Sequence, residues 1–568
     1  MDKYELLKKY WGYSNFYPLQ EKIINLIVEG ENIIAVMPTG GGKSLCYQIP
    51  SLILEGTTLV ITPLIALMED QVNQLSKLGI KAMYFESSST NFTLEQQIEN
   101  SIYGNYKLIF CSPEKFLNSK FLNQFSKANI SLLAIDEAHC ISEWGHDFRP
   151  SYRKIKLIKN LFPQAPIIAL TASATSAVVR DIKKVLNLKK ANIFQYSYDR
   201  PNISYNILKT NEKLKNLIRL INIHKGSSII YCTTRKETEF LSSYLNKNNK
   251  KSTFFHGGLS LVEKKKRLHA WQDGHMSNIV GTSAFGMGIN KSNVRLVIHM
   301  NPPQSIENYY QEAGRAGRDK KKAYCYLFFD NEDELNLKEN ILFKIPRATE
   351  IKSIYNEINN FFQIAYGEGK DKIFSLNLIE FCLRYNRDLL KVRKCLELFE
   401  QERVFQLKSG QIDKLIIKIK SSKKQILDYI SKNTLESKLL EFLIRQKAEF
   451  FKNYTIISSK KIFSSLQCSE DEMHLAFNRL KKNKILNFIS LESSFYLKQL
   501  VPREDNYTLY SLIKRSEKIF DIRKYKLEKM LKYIHDSSTC NRNKILSYFG
   551  ENKINNCMEC SSDPCCIN

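Results

Sequence analysis

The sequence has no long hydrophobic run. It holds 568 residues, 43% of them hydrophobic, and no stretch approaches the roughly 18 consecutive apolar residues that a membrane span needs. The first residues, MDKYELLKKYWGY, alternate charges with aromatic rings and contain no apolar core of a secretion signal. We therefore expect a protein without membrane segments that is located in the cytoplasm.

Low-complexity linkers and convincing tandem repeats are also missing. A chain of 568 residues is long enough for about three to five domains, each with its own core. The limits between these domains must therefore be found from changes in the residue pattern.

Acidic residues are scarce relative to basic ones. Asp and Glu number 58 against 85 Lys and Arg, which gives a formal net charge of +27. Such an excess favours a polyanionic partner, because binding releases condensed counterions. A Lys-rich composition also serves solubility, so the charge alone leaves both interpretations open.

Cysteines are unevenly distributed. Eight of the thirteen are scattered, mostly inside apolar runs as small buried side chains are, and five crowd the last thirty residues. Without a secretion signal this crowding favours metal ligation over disulfides. The spacing C-x16-C-x2-C-x4-C suits tetrahedral zinc, with disulfide or unligated thiols as the other interpretation; the ligands would be Cys540, Cys557, Cys560 and Cys565.

Two series of short β-branched runs alternate with amphipathic segments, which is typical of parallel α/β sheets. The first contains ENIIAVMP, TTLVITP, YKLIFCSP, LLAIDEAH and APIIALTAS, and the second SSIIYC, STFFHG, NIVGTS, RLVIHM and AYCYLFF. We assign them to domains at residues 1–202 and 203–345. Two sheets in tandem predict a cleft between them.

After Pro346 apolar residues recur at helical steps and the parallel sheet ends. We predict a helical, winged-helix-like domain at 346–415, and a second winged-helix-like domain at 416–503. The latter would end in a basic helix and a hairpin of strands 485–489 and 495–500. Residues 504–568 would form a helical pair that leads into the cysteine cluster.

The segment AVMPTGGGKSLCYQIP combines a buried strand, a glycine-rich turn and a helix, as in a P-loop. Backbone amides of such a turn and the helix N-terminus bind phosphates; Lys43 would reach the outer phosphates and Ser44 would ligate Mg²⁺. Met37 stands where the strict pattern has glycine. The predicted phosphate-binding residues are Thr39, Gly40, Gly41, Gly42, Lys43 and Ser44.

An apolar strand, SLLAI, delivers Asp136 and Glu137 in DEAH. Asp136 can hold the magnesium ion, and Glu137 is the natural base for the attacking water. The segment QEAGRAGRD in the second sheet supplies Arg315 and Arg318, three residues apart and so on one helix face. These arginines are our candidates for neutralising charge on the γ-phosphate of ATP, although a surface helix can carry arginines for other reasons.

The segments MPTGGGKS, DEAHCISEWGHDFRP, ALTASAT, AFGMGINK and YYQEAGRAGRD together resemble, in order and spacing, the superfamily 2 helicase motifs in their RecQ form. The resemblance covers residues 11–330, and HCISEWGHDFRP, similar to the aromatic-rich RecQ loop, is its most specific part. It implies an ATP-dependent 3′-to-5′ DNA helicase with two RecA-like domains. The C-terminal cysteine segment also resembles the zinc module of RecQ proteins, in which C-x2-C is the usual close, so Cys565 and Cys566 remain alternatives for the last ligand.

The resemblance also carries residue roles. Tyr13 would stack on adenine and Gln20 would form hydrogen bonds with its edge. Tyr17 stands where the family usually has arginine, and it can stack but lacks the planar, charged guanidinium donor. Thr171, Thr175 and the segment 286–291 would relay between nucleotide and DNA.

Three residues of the aromatic-rich loop have a role that follows from their chemistry. Trp144 and Phe148 offer flat faces to unpaired bases, and Arg149 can meet a phosphate. Because the loop is close to Glu137 in sequence, DNA binding could order it and thereby set the catalytic base. The alternative is that the rings only anchor a connection.

A basic segment precedes the predicted hairpin and could contact duplex phosphates while the hairpin separates the strands. It contains Arg479, Lys481, Lys482 and Lys484. A solvated basic helix is the equal alternative, and for Phe488 and Tyr496 we favour core positions over stacking on bases.

We expect DNA, as single-stranded tail and duplex fork, to be the partner, with ATP, Mg²⁺ and Zn²⁺ as cofactors. Other protein partners stay open, and a monomer is the working expectation. A translocase or annealing factor, an RNA helicase, and a non-catalytic DNA-binding scaffold are the competing functions.

Overall fold

A computed structural model gives the structure of the chain in two compact units. It describes residues 2–38, 40–63, 65–85, 91–145, 147–286, 291–343, 345–409, 414–421, 423–430, 434–446, 448–451, 455–466, 470–483, 485–491 and 494–552. The first unit comprises Met1–Ile341 with Asp521–Asn568, and the second comprises Leu342–Phe520. None of the helices in this described part is long and apolar enough to cross a membrane.

The first parallel sheet of the first unit has seven strands. They are β1 (Ile33–Val36), β2 (Thr57–Ile61), β3 (Ala82–Tyr84), β4 (Leu108–Cys111), β5 (Ile130–Ile135), β6 (Ile167–Thr171) and β7 (Asn192–Gln195). Their spatial order is β3-β4-β2-β5-β6-β1-β7. Every residue of β1 and β4 is buried, because helices cover both faces of the sheet.

The helices around this sheet are α1 (Lys3–Leu6), α2 (Pro18–Val28), α3 (Leu45–Ile53), α4 (Ile65–Lys77), α5 (Asn91–Tyr103), α6 (Ser119–Phe125), α7 (Ile155–Leu161) and α8 (Ser176–Val185). A π-helical turn spans Leu7–Trp11, and 3₁₀ turns span Pro113–Leu117, Ala138–Ile141 and Pro150–Lys154. In α8 the residues Val178, Val179 and Ile182 face the core, which is the helical spacing of an amphipathic surface helix.

The second parallel sheet has six strands: β8 (Ile203–Lys209), β9 (Ser227–Tyr231), β10 (Ser252–Phe255), β11 (Asn278–Gly281), β12 (Val294–His299) and β13 (Ala323–Phe329). Their order is β10-β11-β9-β12-β13-β8. The helices are α9 (Lys213–Ile223), α10 (Arg235–Lys247), α11 (Leu261–Gln272), α12 (Ile306–Ala313) and α13 (Asn331–Lys338), with a π-helical turn at Glu339–Phe343. Hydroxyl caps at Thr234, Ser260 and Ser305 accept the N–H that would otherwise be unpaired at the start of α10, α11 and α12.

The second unit begins with a winged-helix order of elements, namely α14 (Ala348–Phe361), β14 (Ile373–Asn377), α15 (Leu378–Tyr385), α16 (Leu389–Gln401) and β15 (Phe405–Ser409). A second group follows: β16 (Lys414–Ile419), α17 (Lys423–Ile430), α18 (Leu435–Gln446), a 3₁₀ turn (Ala448–Phe451), β17 (Thr455–Ser458), α19 (Ser459–Leu466), α20 (Glu470–Lys482) and β18 (Leu486–Leu491). The chain then continues with β19 (Ser494–Gln499) and α21 (Asp505–His535), a helix that leaves the second unit at Phe520, and α22 (Asn541–Tyr548) belongs to the first unit.

The predicted hairpin between the last two strands of this unit is wrong. β18 pairs with β16 in a sheet of order β17-β16-β18, whereas β19 pairs with β14 and β15 in a sheet of order β14-β19-β15. The reason is packing: Phe495 and Leu497 of β19 belong to the core of the first winged-helix domain, and Phe488 of β18 belongs to the core of the second. The second domain is thus inserted between the last two strands of the first.

The chain consequently passes between the two winged-helix domains twice, from β15 to β16 and from β18 to β19. Ser409 pairs with Phe495 on one side of the junction and Lys414 pairs with Leu491 on the other, in the same antiparallel sense. The registers on the two sides differ by one residue. The predicted α/β class, with two RecA-like domains followed by winged-helix elements, is confirmed, while the predicted limits of the individual domains stay predictions.

Candidate active site

The glycine-rich turn lies at the end of β1, as the sequence predicts. Gly40 and Gly42 have φ angles of +83° and +73°, a left-handed conformation that explains glycine at these positions. Met37 is fully buried beside Cys46, so the residue that departs from the strict pattern fills the core beneath the turn. Lys43 and Ser44 follow directly before α3, and Thr39 lies outside the described residues.

Gln20 supports this turn from α2. Its Nε2 donates to the carbonyl oxygens of Gly41 (3.2 Å) and Gly42 (3.1 Å), and its Oε1 accepts the N–H of Tyr17 at 2.9 Å. The side chain is 1% exposed. In this structure the residue predicted to read adenine is therefore engaged by backbone of the glycine-rich turn and by the N–H of Tyr17 at the start of its own helix.

The two predicted carboxylates follow β5 at the same edge of the sheet. Burial and the neighbouring Glu137 raise the pKa of Asp136 to about 6, although Lys43 and a hydrogen bond from the Glu137 N–H (2.9 Å) act in the other direction. Glu137 has φ +48°, which is uncommon for a residue with a side chain and is typical of strained functional positions.

His139 is a functional candidate that sequence reasoning missed. Its Nδ1 lies 2.9 Å from Thr171 Oγ1 and 3.3 Å from Glu137 Oε2, and the ring is completely buried. Burial, together with Lys43, holds the pKa of His139 well below its usual value, so the imidazole is neutral. His139 therefore links the carboxylate to Thr171 of the predicted relay segment, and its place two residues after Glu137 in DEAH was the available signal.

The two arginines come from the turn after α12 in the second sheet. An added Cβ at Gly40 would lie 3.6 Å from Arg318 Cγ, so this side chain lies against the glycine-rich turn. Burial, with Arg315 and Arg200 nearby, lowers the pKa of Arg318 to about 9. Adjacent buried cations of this kind favour an anionic ligand between the two sheets.

These residues line one cavity of about 600 Å³, a volume in the range of small-molecule sites. It brings together most of the predicted nucleotide-site residues, namely Tyr13, Tyr17, Gln20, Gly40, Gly42, Lys43, Ser44, Asp136, Glu137, Arg315 and Arg318. Gln311 also lines it, and its Nε2 donates to Ser173 Oγ at 3.3 Å, which joins the second sheet to the LTASAT segment of the first.

Arg200, also missed from sequence, holds the arginine-bearing turn in place. Its guanidinium donates to the carbonyl oxygens of Gly314 (3.2 Å), Ala316 (2.9 Å) and Gly317 (3.2 Å). Asn202 Nδ2 adds a hydrogen bond of 2.7 Å to the carbonyl of Gly317. The segment between the two sheets thus fixes the geometry of the arginines.

Sequence models of four families match the chain. They are described as DEAD/DEAH box helicase (residues 17–182), helicase conserved C-terminal domain (212–320), RecQ helicase winged-helix domain, Bacteroidota (417–490), and RecQ zinc-binding (503–566). The winged-helix match falls on the inserted domain of the second unit.

Curated relatives agree with these matches. The ATP-dependent DNA helicase RecQ of Pasteurella multocida is 45% identical over 60% of this chain and 54% of its own length, so the chain matches about half of that relative. The ATP-dependent DNA helicase Q1 of Pongo abelii is 34% identical over 86% of this chain and 81% of its own length. The chain belongs to the RecQ helicase family.

Solved structures show the same fold for the paired sheets of this RecQ-family chain. The DUF1998 helicase MrfA bound to DNA and AMPPNP has a TM-score of 0.51 at 18% identity, over 60% of this chain and 52% of that one. S. cerevisiae Dbp5 bound to RNA and ADP BeF3 has a TM-score of 0.50 at 19% identity, over 59% and 90%. At these identities the likeness concerns the fold alone.

The aromatic-rich loop of this RecQ-family chain is held by several contacts. Trp144 is partly buried, with its ring edge-on to Tyr525 at 6.0 Å, and Phe148 lies 5.3 Å from the Arg153 guanidinium. Arg149 donates to the carbonyl of Pro63 at 2.9 Å and pairs with Asp147. Both rings are only partly buried, so neither is a fully buried anchor of the loop.

Lys526 of α21 connects this loop to the second sheet. Its Nζ donates to the carbonyl of Gly145 at 2.9 Å and lies 3.3 Å from Glu307 Oε1 of α12. Burial opposes ionisation of Glu307, but Lys526 and hydrogen bonds outweigh it and hold the pKa of Glu307 below its usual value. One buried lysine therefore bridges the aromatic-rich loop and the helix that leads to the arginines.

The C-terminal segment of the first unit contacts the residues between the sheets. The ring of Phe549 stacks on Tyr198 at 4.1 Å, and Glu551 accepts from the Tyr198 N–H at 2.7 Å. Arg542 forms an ion pair with Asp199, beside Arg200. The segment thus supports the stretch from which Arg200 reaches the arginine-bearing turn.

Of the predicted zinc ligands, only Cys540 is described. It lies at the N-terminus of α22 and forms no disulfide within the described residues. Cys557, Cys560, Cys565 and the alternative Cys566 lie outside them. Among described residues no group of three or more His, Cys, Asp or Glu could hold a metal. Cys540 is placed where a ligand could tether α22, which fits the predicted module.

The other predicted segments have varied outcomes. Lys291 caps α11, donating to the carbonyls of Trp271 (2.6 Å) and Gln272 (2.9 Å), while 287–290 lie outside the described residues.

In the basic segment Arg479 pairs with Glu436 at 2.9 Å. Lys484 and the side chain of Lys482 lie outside the described part, and Lys481 lies over the Phe488 ring.

The two aromatic residues near the predicted hairpin differ in burial. Phe488 is a core residue, 7% exposed, as expected, whereas Tyr496 is 47% exposed, so the core position predicted for it is wrong. Tyr496 lies on β19, the middle strand of its sheet, with Ser375 and Lys408 as its strand partners, and its ring faces away from the core side of Phe495 and Leu497.

Proposed function

We propose that this chain is an ATP-dependent DNA helicase that unwinds duplex DNA in the 3′-to-5′ direction. The observation that carries the proposal is the cavity that joins Lys43, Asp136 and Glu137 of the first sheet to Arg315 and Arg318 of the second. Phosphoryl transfer needs positioning and charge neutralisation, and a site divided between two sheets couples hydrolysis to their relative movement.

Each residue has a role in this proposal. Lys43 and the turn bind the β- and γ-phosphates, and Ser44 and Asp136 hold Mg²⁺, which when bound neutralises phosphate charge. Glu137, oriented by neutral His139, accepts a proton from the attacking water. Arg315 and Arg318 stabilise charge on the transferred group. Tyr13 stacks on the base.

Zinc is the proposed structural metal of the C-terminal segment, with Cys540, Cys557, Cys560 and Cys565 or Cys566 as ligands. The match of residues 503–566 to a RecQ zinc-binding model supports this assignment. Four thiolates in this spacing suit tetrahedral zinc, which stabilises a fold without open coordination positions. Metal analysis of Cys557→Ala tests it, since unchanged zinc content would contradict the assignment.

Single-stranded DNA is the proposed activator, bound by Trp144, Phe148 and Arg149. The net charge of +27 supports a polyanionic partner. Binding would release the loop from its contacts with Tyr525 and Pro63 and reset Glu137 through the short connection to the DEAH segment. Trp144→Ala should therefore lower DNA-stimulated hydrolysis while basal hydrolysis stays; full stimulation of the variant would exclude this coupling.

Strand separation on duplexes with a 3′ or a 5′ tail tests the activity and its direction. We expect ATP-dependent separation from the 3′ tail and none with Glu137→Gln or Lys43→Ala. Separation only from the 5′ tail would refute the direction, and hydrolysis without separation would favour a translocase or annealing factor. Hydrolysis that survives Lys43→Ala would exclude the proposed site.

Tailed RNA duplexes and binding without hydrolysis test the remaining alternatives. Faster separation of RNA than of DNA would favour an RNA helicase, and DNA binding without any hydrolysis would favour a scaffold. A role in recombination, repair or replication and a cytoplasmic location are part of the proposal, supported by family membership.

A further inference from the structure

The sheet of the first winged-helix domain has one face in the core and one face in solvent. Leu376 of β14, Phe405 of β15 and Leu497 of β19 lie on the core face. Because successive side chains of a strand point to opposite faces, the alternate residues form the other face. We call this solvent-facing surface the platform, and it consists of Ile373, Ser375, Gln406, Lys408, Tyr496 and Lys498.

Tyr496 lies at the centre of the platform and is 47% exposed. Its strand, β19, is the middle one, and its direct neighbours are Ser375 of β14 and Lys408 of β15. The small side chain of Ser375 leaves the ring open on one side. Ile373, which is 66% exposed, lies diagonally to the ring on β14. Solvated sheet faces are usually polar, so an accessible tyrosine ring beside an exposed isoleucine favours a ligand with flat, partly apolar groups.

The charged groups of the platform are positive. Lys408 lies directly beside Tyr496, Lys498 follows it on the same face of β19, and none of the six platform residues is Asp or Glu. Lys498 pairs at 2.9 Å with Asp371 at the rim, in an exposed pair that stabilises little. Lys408 has no carboxylate within ion-pair distance in the described part of the chain. Both lysines are therefore available to an anionic ligand.

The helix α16 of the same domain offers no comparable surface, because its charges nearly balance. It carries Lys391, Arg393 and Lys394 against Glu397 and Glu400. Arg393 and Lys394 both contact Glu397, at 3.8 and 2.5 Å. Charge complementarity to a polyanion in this domain therefore favours the platform over the helix.

A ring in the middle of a sheet face stacks on unpaired bases. Inside a duplex each base is covered on both sides by its neighbours, whereas an unpaired base of any kind can stack on an aromatic side chain. Lysines near the ring then reach the phosphates on either side of the stacked base. Tyr496 does not belong to a hairpin that could split base pairs, because β18 and β19 lie in different sheets.

We propose that the platform binds single-stranded DNA, with one base stacked on Tyr496 and with Lys408 and Lys498 on the flanking phosphates. The proposal rests on the proposed helicase function for the source of that strand. It adds a second single-strand site to the one proposed at the aromatic-rich loop, and the two sites belong to different compact units. The chain would thus hold a separated strand at two places.

Fluorescence anisotropy of a labelled oligothymidine, without nucleotide, tests the proposal. All chains in this experiment carry Trp144→Ala, which weakens the site proposed at the loop, so the platform contributes more of the remaining affinity. Tyr496→Ala should raise Kd about tenfold, because base stacking is lost, while Tyr496→Phe should bind like its parent. Tyr510→Ala removes a similarly exposed ring from α21 and is the matched control. An unchanged Kd in Tyr496→Ala overturns the proposal.

A second variant and two further ligands make the test specific. Lys408→Gln should lower the slope of log Kd against log salt concentration by about 0.7, the value for one phosphate contact on a single strand. A blunt duplex should bind the Tyr496→Ala chain as well as its parent; an equal loss for duplex would identify a duplex site and overturn the proposal. Oligouridine that binds about tenfold tighter than oligothymidine through Tyr496 would overturn DNA as the ligand.

Photocrosslinking locates the contact directly. Oligonucleotides with 5-bromodeoxyuridine should crosslink to the peptide that contains Tyr496, and crosslinks confined to other peptides would contradict the proposal. None of these measurements involves ATP. A chain that binds DNA at the platform but neither hydrolyses ATP nor unwinds duplexes would therefore contradict the helicase function and leave the platform proposal intact.

Discussion

Replacing Arg200 tests whether the segment between the two sheets controls catalysis. Arg200 touches neither the cavity wall nor any predicted phosphate ligand, yet it holds three carbonyl oxygens of the turn that carries Arg315 and Arg318. We expect Arg200→Ala to lower kcat for ATP hydrolysis while KM changes little, because the phosphate-binding turn itself is untouched.

The magnitude follows from the lost hydrogen bonds. Hydrogen bonds from a charged donor contribute about 1.5 kcal/mol each, so the three together contribute roughly 4 kcal/mol. Asn202 still donates to the carbonyls of Gly317 and Lys321, and so retains part of the turn geometry. If half of this free energy was used to position Arg315 and Arg318 for the reaction, the activation free energy of hydrolysis rises by about 2 kcal/mol and kcat falls about 30-fold.

Steady-state hydrolysis at saturating DNA is the measurement. Arg200→Lys keeps the charge but cannot contact three carbonyls at once, and should fall between the parent chain and Arg200→Ala. Arg219→Ala, an exposed arginine on α9, is the matched control and should leave kcat unchanged. A folded Arg200→Ala protein with kcat within about threefold of the parent would refute the reasoning. The Arg200 hydrogen bonds would then change the activation free energy by about 0.65 kcal/mol or less.

Three further changes test other parts of the site. Lys526→Met leaves Glu307 buried without its cation and should lower the free energy of unfolding of the first unit by about 3 kcal/mol, measured in urea. Adding Glu307→Gln to the same chain should largely restore the stability. A Lys526→Met variant as stable as the parent chain would contradict the buried ion pair. Burial and Glu137 raise the pKa of Asp136 to about 6, so Mg²⁺-dependent nucleotide affinity should be full above that pH and fall below it, because protons then compete with the metal; a flat Kd from pH 5 to 8 would argue against this. Removing zinc by chelation, or Cys540→Ser, should lower kcat, because the C-terminal segment contacts the stretch that holds Arg200 in place. Cys468→Ser is the control and should leave kcat unchanged. An unchanged kcat after verified zinc loss would exclude an effect of the zinc segment on Arg200.

The strands and the glycine-rich turn around the candidate active site could be predicted from sequence because each is a pattern of neighbouring residues. Strands with continuous apolar runs, such as β1 and β5, were recognisable, and glycines with left-handed φ mark the phosphate-binding turn. The edge strands of the first sheet were not recognised: β3 is three residues long and only partly buried, and β7 has two apolar residues between polar ones, with only Phe194 buried, so neither has the apolar run of a central strand.

The supporting residues could not be predicted because they act through distant backbone groups. Arg200 contacts carbonyls of residues that lie more than a hundred positions later in the sequence. Lys526 joins Gly145 of the aromatic-rich loop to Glu307 of α12, both more than two hundred positions earlier. Neither hydrophobic periodicity nor the spacing of neighbouring residues predicts such long-range contacts. For Gln20 the resemblance predicts a contact with adenine, whereas the partners that its side chain has in the structure are backbone groups of Tyr17, Gly41 and Gly42.

The error at β18 and β19 has the same origin. Two adjacent β runs separated by a short connection normally favour a hairpin. Here each run completes a different core, and the deciding contacts of β19 are with β14 and β15, which precede the inserted domain. Long-range packing therefore overrides the local turn signal.

The inserted winged-helix domain also has a consequence for the order of folding. β15 and β19 cannot pair until the chain between Ser409 and Ser494 brings its ends together, which costs an unfolded loop of that length about 4 kcal/mol of entropy. Once β16 and β18 have paired, only a few residues remain to be closed, and this cost falls to about half. The inner domain is thus expected to fold first and to act as a template for the outer one, so a substitution in its core, such as Leu440→Ala, should slow formation of the outer wing without touching it.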